Sequence, residues 1–238
     1  MKTVSIILIV LVNIAIIGVF VYMSVSYRIS NFTNNRKLEY VHIPKNAGTS
    51  MENFGKANGI MWGRFNENYS AYCDKCTYYI WHTPCFVKED NTDYFTTIRN
   101  PYDRIISEFY YTNSGKIKKG LYGDKKDIDV FYDWFDTNLE IYQKKDTVLG
   151  CHFMPQSKYV YDENGERRIE HLVFMDKNFN KNLDKLLKQY NIITDIDTFP
   201  RSNKRDKTFS KDDLSQEYKD KIYNMYIDDF NNFGYKKL

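Results

Sequence analysis

The 238-residue sequence predicts an α/β fold, in which a central and mainly parallel sheet lies between layers of helices. Two observations lead to this prediction. Short apolar runs alternate with segments of helical periodicity along most of the chain. The first run after the N-terminal segment leads directly into a loop with phosphate-binding character, which makes the expected fold P-loop-like and three-layered. No internal repeat or second domain is visible, so we assign residues 38–238 to one domain.

Composition limits the classes of function that are open to the chain. Hydrophobic residues make up 42% of the sequence and aromatic residues 17%, which is ample for a packed core. The 34 lysines and arginines nearly balance the 31 aspartates and glutamates, and the formal net charge is +3. This balance gives no support for a nucleic-acid partner, and an anionic ligand would have to be met by a local basic patch.

The N-terminal segment predicts a membrane anchor. Residues 4–25 are almost all apolar and carry no charge, and a helix needs about 20 such residues to span a bilayer. A cleaved signal peptide is the alternative, but its apolar core would measure only about 7 to 15 residues. We therefore expect a tail at residues 1–3, a transmembrane helix at residues 4–25 and a short polar stem at residues 26–37.

The segment after the stem has the features of a phosphate-binding loop. Residues 39–50 read EYVHIPKNAGTS, an apolar strand followed by a loop and a helix start. Gly48 would let the backbone approach an anion, and Thr49 with Glu52 fits a capping box. Backbone amides, the positive end of the helix and the Lys45 ammonium would then face the same point.

Four cysteines indicate disulfides. In an oxidising compartment they would form two bonds, with three possible connectivities that the sequence does not choose among. The Cys-x-x-Cys spacing of the first pair also fits half of a zinc site, but the second pair lacks that spacing, so we expect no metal. The residues are Cys73, Cys76, Cys85 and Cys151.

A second strand and helix are expected at residues 94–111, which read YFTTIRNPYDRIISEFYY. Asn100 is a good N-cap, and Pro101 is a good first helical residue. Arg99 would then lie at the carboxyl end of the strand, and Ser107 about two turns along the helix at roughly 3.6 residues per turn. These two side chains would reach one phosphate together.

The rest of the chain continues the alternation of strands and helices. Apolar residues at helical spacing predict a helix over residues 127–143. An apolar strand is expected over residues 171–175, and an amphipathic helix over residues 179–190 completes this unit. A last helix over residues 218–233 would end at Gly234.

The order of residues in the first motif resembles a known family. A Walker A loop places its lysine just before the hydroxyl residue, but here the lysine comes early. The order His-Ile-Pro-Lys-x-x-Gly-Thr-Ser resembles instead the 5′-phosphosulfate loop of sulfotransferases, and the second motif resembles their 3′-phosphate motif. The resemblance spans most of residues 38–238 and is strongest to the membrane-bound carbohydrate sulfotransferases that include heparan sulfate 2-O-sulfotransferase. It implies that the donor is 3′-phosphoadenosine 5′-phosphosulfate, abbreviated PAPS.

The resemblance also implies which residues bind the donor. A cationic stretch before the last helix, residues 200–207, is similar to the segment that closes over the 3′-phosphate end of PAPS. The expected donor-binding residues are Lys45, Asn46, Ala47, Gly48, Thr49, Ser50, Arg99, Ser107, Lys204 and Arg205. Lys45 is also expected to be catalytic, because its ammonium would neutralise charge on the leaving phosphate.

The transfer needs a base with a pKa near neutrality, and histidine is the usual choice. His82 ends residues 77–82, TYYIWH, which we expect to form a strand, and ligand sites form at such strand ends. It also lies between the two donor motifs, where the resemblance places the catalytic base. We therefore expect His82 to be the base, and we expect His42 and His171 to be structural.

The acceptor side is expected at residues 151–159, which read CHFMPQSKY. They resemble the His-x-x-Pro-Gln segment of many carbohydrate sulfotransferases, which is usually taken to shape the acceptor site. His152 and Gln156 are therefore expected to bind the substrate, and His152 is the second candidate for the base.

These features predict transfer of a sulfuryl group from PAPS to a hydroxyl of a carbohydrate, either a glycan or a glycosaminoglycan. The resemblance implies a type II membrane protein with its catalytic domain in the Golgi lumen, where the sequons at Asn31 and Asn68 would be usable. Two other classes stay open, a P-loop-type small-molecule kinase and a non-catalytic membrane-tethered glycan-binding module. The sugar, its hydroxyl, a tyrosine or small-molecule acceptor, and the oligomeric state stay open as well.

Overall fold

The computed structural model describes residues 16–18, 36–71, 80–145, 149–200 and 207–238. A parallel sheet lies at the centre, with the strand order β1-β2-β3. Its strands are β1 (Lys37–Tyr40), β2 (Thr92–Ile98) and β3 (His171–Phe174). Tyr40 of β1 lies opposite Phe95, and Ile98 lies opposite Phe174 of β3. The sequence-based prediction of an α/β fold with a parallel sheet is confirmed.

Helices connect and cover the strands. They are α1 (Gly48–Ala57), α2 (Pro101–Lys118), α3 (Asp127–Lys144), α4 (Ser157–Val160), α5 (Phe179–Gln189), α6 (Gln216–Met225) and α7 (Ile227–Phe233). Short 3-10 turns occur at Gly63–Phe65, Ile80–His82, Ile196–Thr198 and Lys211–Asp213. The predicted cap of α2 is confirmed, because the Asn100 side chain accepts a hydrogen bond from the Tyr102 amide at 3.0 Å.

The two faces of β2 are covered by different parts of the chain, since side chains alternate along a strand. Phe95 belongs to a buried cluster with apolar side chains of α1 and α5. Tyr94 and Ile98 point to the other face, where they join residues from the segment 151–169. Helices therefore lie on both sides of the sheet, as the three-layer prediction requires.

The predicted capping box at the start of α1 is wrong. Ala47 is the N-cap, with φ of 62°, and no side chain caps the helix. The Glu52 carboxylate is fully buried and accepts hydrogen bonds from His42 Nδ1 at 2.7 Å and the Arg64 amide at 3.1 Å. These partners hold the carboxylate away from the helix end, because a buried carboxylate needs more than one hydrogen-bond donor.

Two further predictions are corrected in detail. Residues 80–82 form a 3-10 turn where we expected the end of a strand, and residues 77–79 lie outside the described residues. The predicted last helix is divided at Tyr226 into α6 and α7. The apolar spacing continues across this break and so does not reveal it. Gly234, with φ of 71°, ends α7 as predicted.

Several N-terminal predictions fall outside the structure. Of the expected anchor at residues 4–25 only residues 16–18 are described, and of the expected stem only residues 36 and 37. Within the described ranges no helix has the length and apolarity that crossing a membrane requires. The sequon residue Asn68 is exposed, whereas Asn31 lies outside the described residues.

Candidate active site

A cleft of about 590 Å³ lies where the three strands end. Its wall contains His42, Pro44, Lys45 and residues 47–50 after β1, residues that follow β2, and Met175 with Asp176 after β3. Parallel strands of open α/β sheets bring their carboxyl ends together at such a crevice, which is where their ligands bind. The fold therefore gathers both predicted donor motifs around one opening.

The loop between β1 and α1 has an unusual backbone. Lys45 and Ala47 have left-handed φ values of 70° and 62°, a region that side chains other than glycine seldom adopt. Such residues concentrate at ligand sites, where the surrounding structure holds them in place. Five of the predicted donor residues line the cleft in this loop and helix start: Lys45, Ala47, Gly48, Thr49 and Ser50. The positive end of α1 thus faces the opening.

Gly48 has a steric role that the sequence did not reveal. A Cβ at this position would lie 2.0 Å from Nε2 of His42. The imidazole of His42 therefore packs directly against the first turn of α1, where only glycine leaves room for it. His42 itself lines the cleft, although we expected it to be structural.

Cationic side chains line the cleft from several elements. The Lys45 ammonium lies 3.8 Å from the ring centre of Tyr111 in α2. Arg99 and Ser107 both face the cleft, and Nη1 of Arg99 donates a hydrogen bond to the Lys45 carbonyl at 3.1 Å. Lys207 also lines the cleft. It is the last residue of the predicted cationic stretch, in which Lys204 and Arg205 lie outside the described residues.

Among the described residues Arg99 forms no ion pair, since the carboxylate of the neighbouring Asp103 pairs instead with Lys211 at 3.1 Å. Burial lowers the pKa of its guanidinium, and the neighbouring Arg104 adds to this effect while Asp103 opposes it. Burial likewise lowers the pKa of Lys207, with a contribution from Arg99. Two neighbouring cations that line one cleft favour an anionic ligand, which would compensate both.

Asn46 and Gln156 do not line the cleft, and their expected roles in donor and acceptor binding stay predictions. Both side chains are fully buried. Nδ2 of Asn46 donates hydrogen bonds to the Thr97 carbonyl and to Oε1 of Gln156, each at 2.6 Å. The Gln156 amide also bonds to the backbone N–H and C=O of Arg99, at 3.0 and 2.9 Å. The two residues therefore join the loops that follow β1 and β2.

Three histidines form one wall of the cleft. The ring centres of His42 and His82 lie 4.4 Å apart, and those of His82 and His152 lie 4.9 Å apart. Nε2 of His152 lies 3.3 Å from Nδ1 of His82. His171 is distant from this group, at the start of β3, where Nε2 lies 2.5 Å from the Tyr190 hydroxyl.

A buried carboxylate supports each outer histidine. Nδ1 of His42 lies 2.7 Å from Glu52, and Nδ1 of His152 lies 2.8 Å from Glu108. Burial lowers the pKa of His82 between them, and His42, His152 and Lys45 each lower it further. His82 is therefore neutral near pH 7, and a neutral imidazole is the form that accepts a proton.

Two of the four cysteines lie close in sequence to these histidines. Cys85 and Cys151 are both disulfide-bonded, and both are buried. Cys73 and Cys76 lie outside the described residues. In the part of the chain that the structure describes, no three or more histidine, cysteine or acidic side chains are arranged to hold a metal ion.

Comparison with known proteins gives one match. A family model described as the sulfotransferase family matches residues 30–236, which is most of the chain. No curated protein and no solved structure matches the chain significantly.

Proposed function

We propose, from the premise that the chain belongs to the sulfotransferase family, that it transfers a sulfuryl group from PAPS to a hydroxyl of a carbohydrate. Members of this family are transferases that generally use PAPS as the sulfate donor. One observation carries the proposal for this chain. The loop after β1 and the pair of Arg99 and Ser107 line the same cleft. Along the chain, loop residues 45–50 precede Arg99 and Ser107 by 49 to 62 positions.

The cleft suits the two phosphate groups of PAPS. The start of α1 and Lys45 would bind the 5′-phosphosulfate, because amides at a helix N-terminus and an ammonium both favour an anion. Arg99, Ser107 and Lys207 would bind the 3′-phosphate. A volume of about 590 Å³ also lies within the range of nucleotide-sized ligand sites.

The proposed reaction is an in-line displacement at sulfur. The acceptor oxygen bonds to sulfur while the bond from sulfur to the 5′-phosphate oxygen breaks, and 3′-phosphoadenosine 5′-phosphate leaves. His82 takes the proton of the acceptor hydroxyl. Lys45 stabilises the charge that develops on the leaving phosphate oxygen. Among the side chains assigned to the reaction, Lys45 makes the strongest electrostatic contribution.

The acceptor side is proposed at Tyr111 and His152. Tyr111 lines the cleft, its side chain remains 46% exposed, and its ring stacks on His152 at 5.7 Å. An exposed aromatic ring of this kind suits the apolar face of a sugar. This placement supports a carbohydrate acceptor.

A lumenal location is part of the proposal. The disulfide-bonded Cys85 and Cys151 support it, because such bonds persist in oxidising compartments. We propose that residues 4–25 anchor a type II membrane protein whose catalytic domain faces the Golgi lumen. Protease protection of the full-length protein in sealed microsomes tests this topology, and digestion of the catalytic domain without detergent would contradict it.

The test of function begins with donor binding. The full-length protein in detergent is titrated calorimetrically with PAPS, 3′-phosphoadenosine 5′-phosphate and ATP. We expect the first two to bind and ATP to bind far more weakly. Tight ATP binding would favour the kinase, and no nucleotide binding would favour the glycan-binding module.

The second step identifies the acceptor. Radiolabelled PAPS is offered with a panel of desulfated glycans and glycosaminoglycans, together with a tyrosine peptide and small phenols, and the labelled position in the product is mapped. We expect label on a carbohydrate hydroxyl. Label confined to the peptide or to the phenols would contradict the proposed acceptor class while leaving the donor assignment in place.

A further inference from the structure

We propose that Glu108, His152 and His82 form a linear proton relay, in which the acceptor proton enters at His82 and the resulting positive charge settles on the His152–Glu108 pair. This inference rests on the proposed sulfuryl transfer and deepens it. His82 remains the residue that touches the acceptor hydroxyl. His152 and Glu108 act through His82 and are positioning residues.

The side chains of Glu108, His152 and His82 form a continuous series of contacts at hydrogen-bond distance. Oε2 of Glu108 lies 2.8 Å from Nδ1 of His152, and Nε2 of the same ring lies 3.3 Å from Nδ1 of His82. Glu108 belongs to α2 and is only 1% exposed. An ionised carboxylate that is buried so completely is stable only beside a hydrogen-bonded partner that carries, or can take up, positive charge. His152 is that partner.

The hydrogen bonds select one tautomer for each ring. A carboxylate only accepts hydrogen bonds, so the proton of neutral His152 resides on Nδ1. Nε2 of His152 is then an acceptor, and Nδ1 of His82 must donate to it. His82 therefore carries its lone pair on Nε2, the nitrogen that we assign to the acceptor hydroxyl.

The proton balance of the transfer follows from these tautomers. As the acceptor oxygen bonds to sulfur, its proton moves to Nε2 of His82. The Nδ1 proton of His82 moves to Nε2 of His152, which becomes an imidazolium beside the Glu108 carboxylate. After the products leave, the reverse shift returns one proton through His82 to water.

The relay places the positive charge where the surroundings favour it. A charge that stayed on His82 would lie near the Lys45 ammonium and would be poorly solvated, because His82 is only 7% exposed. On His152 the charge faces a carboxylate at hydrogen-bond distance. Among the described residues, the titratable and charged groups around the two rings are His42 with Glu52, Lys45, Arg104 through its bond to the His152 carbonyl, Glu108, Tyr111 and Tyr159.

The His42–Glu52 pair provides a matched comparison for the His152–Glu108 pair. His42 and Glu52 form a second carboxylate–histidine pair at 2.7 Å, and His42 also touches His82. This touch is an edge contact between rings, with an interplanar angle of 71° and centres 4.4 Å apart. It offers no path for a proton from His82, so the relay predicts that Glu52 and Glu108 are not equivalent.

The kinetic test compares Glu108→Gln with Glu52→Gln in the full-length protein. Loss of the Glu108 charge should make the relay a weaker base, lower kcat 10-fold or more, and move the acid limb of the kcat profile about one pH unit lower. The KM for PAPS should not change. Glu52→Gln should leave the acid limb in place. Thermal melts of both variants measure any effect on folding.

A spectroscopic test does not depend on turnover. Side-chain ¹⁵N shifts of the histidines should show His152 and His82 protonated at Nδ1 in the wild-type protein. A His82 that is protonated at Nε2 would overturn the relay. The relay would also be overturned if both glutamine variants turn over PAPS and show the same pH profile of kcat. Absence of PAPS binding by the wild-type protein would instead overturn the proposed function, and the relay with it.

Discussion

Lys45 is the residue whose replacement tests the catalytic proposal most directly. Its ammonium lines the cleft and lies over the Tyr111 ring. Lys45→Ala removes the positive charge that would stabilise the leaving phosphate, so turnover should fall by an amount equivalent to about 2 to 4 kcal/mol in activation free energy. Steady-state kinetics with PAPS and the best acceptor measure this loss.

Lys56 provides a control for that substitution. Its ammonium also lies over an aromatic ring, 4.5 Å from the centre of Phe65, but Lys56 does not line the cleft. Lys56→Ala should retain wild-type turnover. Near-normal turnover of Lys45→Ala would show that the loop after β1 does not bind the phosphosulfate as we propose.

His82 is the second residue with a specific expectation. His82→Ala should lower kcat about 100-fold or more while the affinity for PAPS stays nearly unchanged, because a base acts only in the transition state. His171→Ala serves as the control, since His171 lies outside the cleft. Calorimetry and single-turnover rates separate binding from chemistry. An active His82→Ala variant, with His152→Ala inactive but folded, would make His152 the base.

Sequence patterns indicated some of the residues that line the cleft and not others, for a physical reason. Lys45, Arg99 and Ser107 stand at fixed offsets from a strand end or a helix cap, so local rules place them. The pairing of His42 with Glu52 depends on side-chain packing around Gly48, and that of His152 with Glu108 joins residues that are 44 positions apart. Neither pairing leaves a periodic signal.

At the scale of single elements, the start of α1 depends on the absence of a side chain at Gly48. A Cβ there would lie 2.0 Å from the His42 ring, so Gly48→Ala should displace His42 or distort the loop. We expect a destabilisation of about 1 to 3 kcal/mol together with weaker PAPS binding. Chemical denaturation and donor titration measure the two effects.

Gly115 makes this prediction a comparison between two helices. It lies near the end of α2, and no atom lies within 4 Å of a Cβ built there. Gly115→Ala should therefore leave PAPS binding unchanged and stabilise the protein by about 0.5 to 1 kcal/mol. Equal stability changes in the two variants would contradict the steric role of Gly48.

Elements were predictable from sequence where local chemistry and periodicity agreed. Residues 127–143 were predicted as a helix and form α3, because apolar spacing and length both favoured it. The break at Tyr226 was missed because its cause is tertiary. The Tyr226 hydroxyl donates to the Phe153 carbonyl at 2.9 Å, and Asp229 in α7 accepts hydrogen bonds from the amides of Gln156 and Ser157.

At the scale of the whole molecule, buried polar side chains join the segments that form the cleft. Gln156 contacts Asn46 and Arg99, and Arg104 donates to the carbonyls of Pro44 and His152 at 3.0 and 3.1 Å. Buried hydrogen-bond networks of this kind fix loops relative to one another. The sequence indicated the parallel sheet and the donor loops, but these cross-links depend on the folded arrangement of distant segments.

The pH dependence of global stability gives a test that is independent of the reaction. Burial against the turn at Gly63–Phe65 raises the pKa of Glu39 from 4.5 to about 7, although hydrogen bonds from Gly63 and Asn66 oppose the shift. Below pH 4.5 the carboxyl is protonated in both the folded and unfolded states. Between pH 4.5 and 7 only the unfolded state ionises readily, so the free energy of unfolding should decrease as the pH rises through this window.

Glu39→Gln should remove that pH dependence. The variant should unfold with the same free energy as the wild type near pH 4 and should be more stable at pH 8, by an amount on the order of 2 to 3 kcal/mol. Denaturant titrations of the full-length protein at a series of pH values measure the difference. The exposed Glu163 provides the control, because Glu163→Gln should follow the wild-type curve. A Glu39→Gln variant whose free energy of unfolding matches that of the wild type at both pH values, or falls below it at pH 8, would show that Glu39 does not ionise against a burial cost in the folded state.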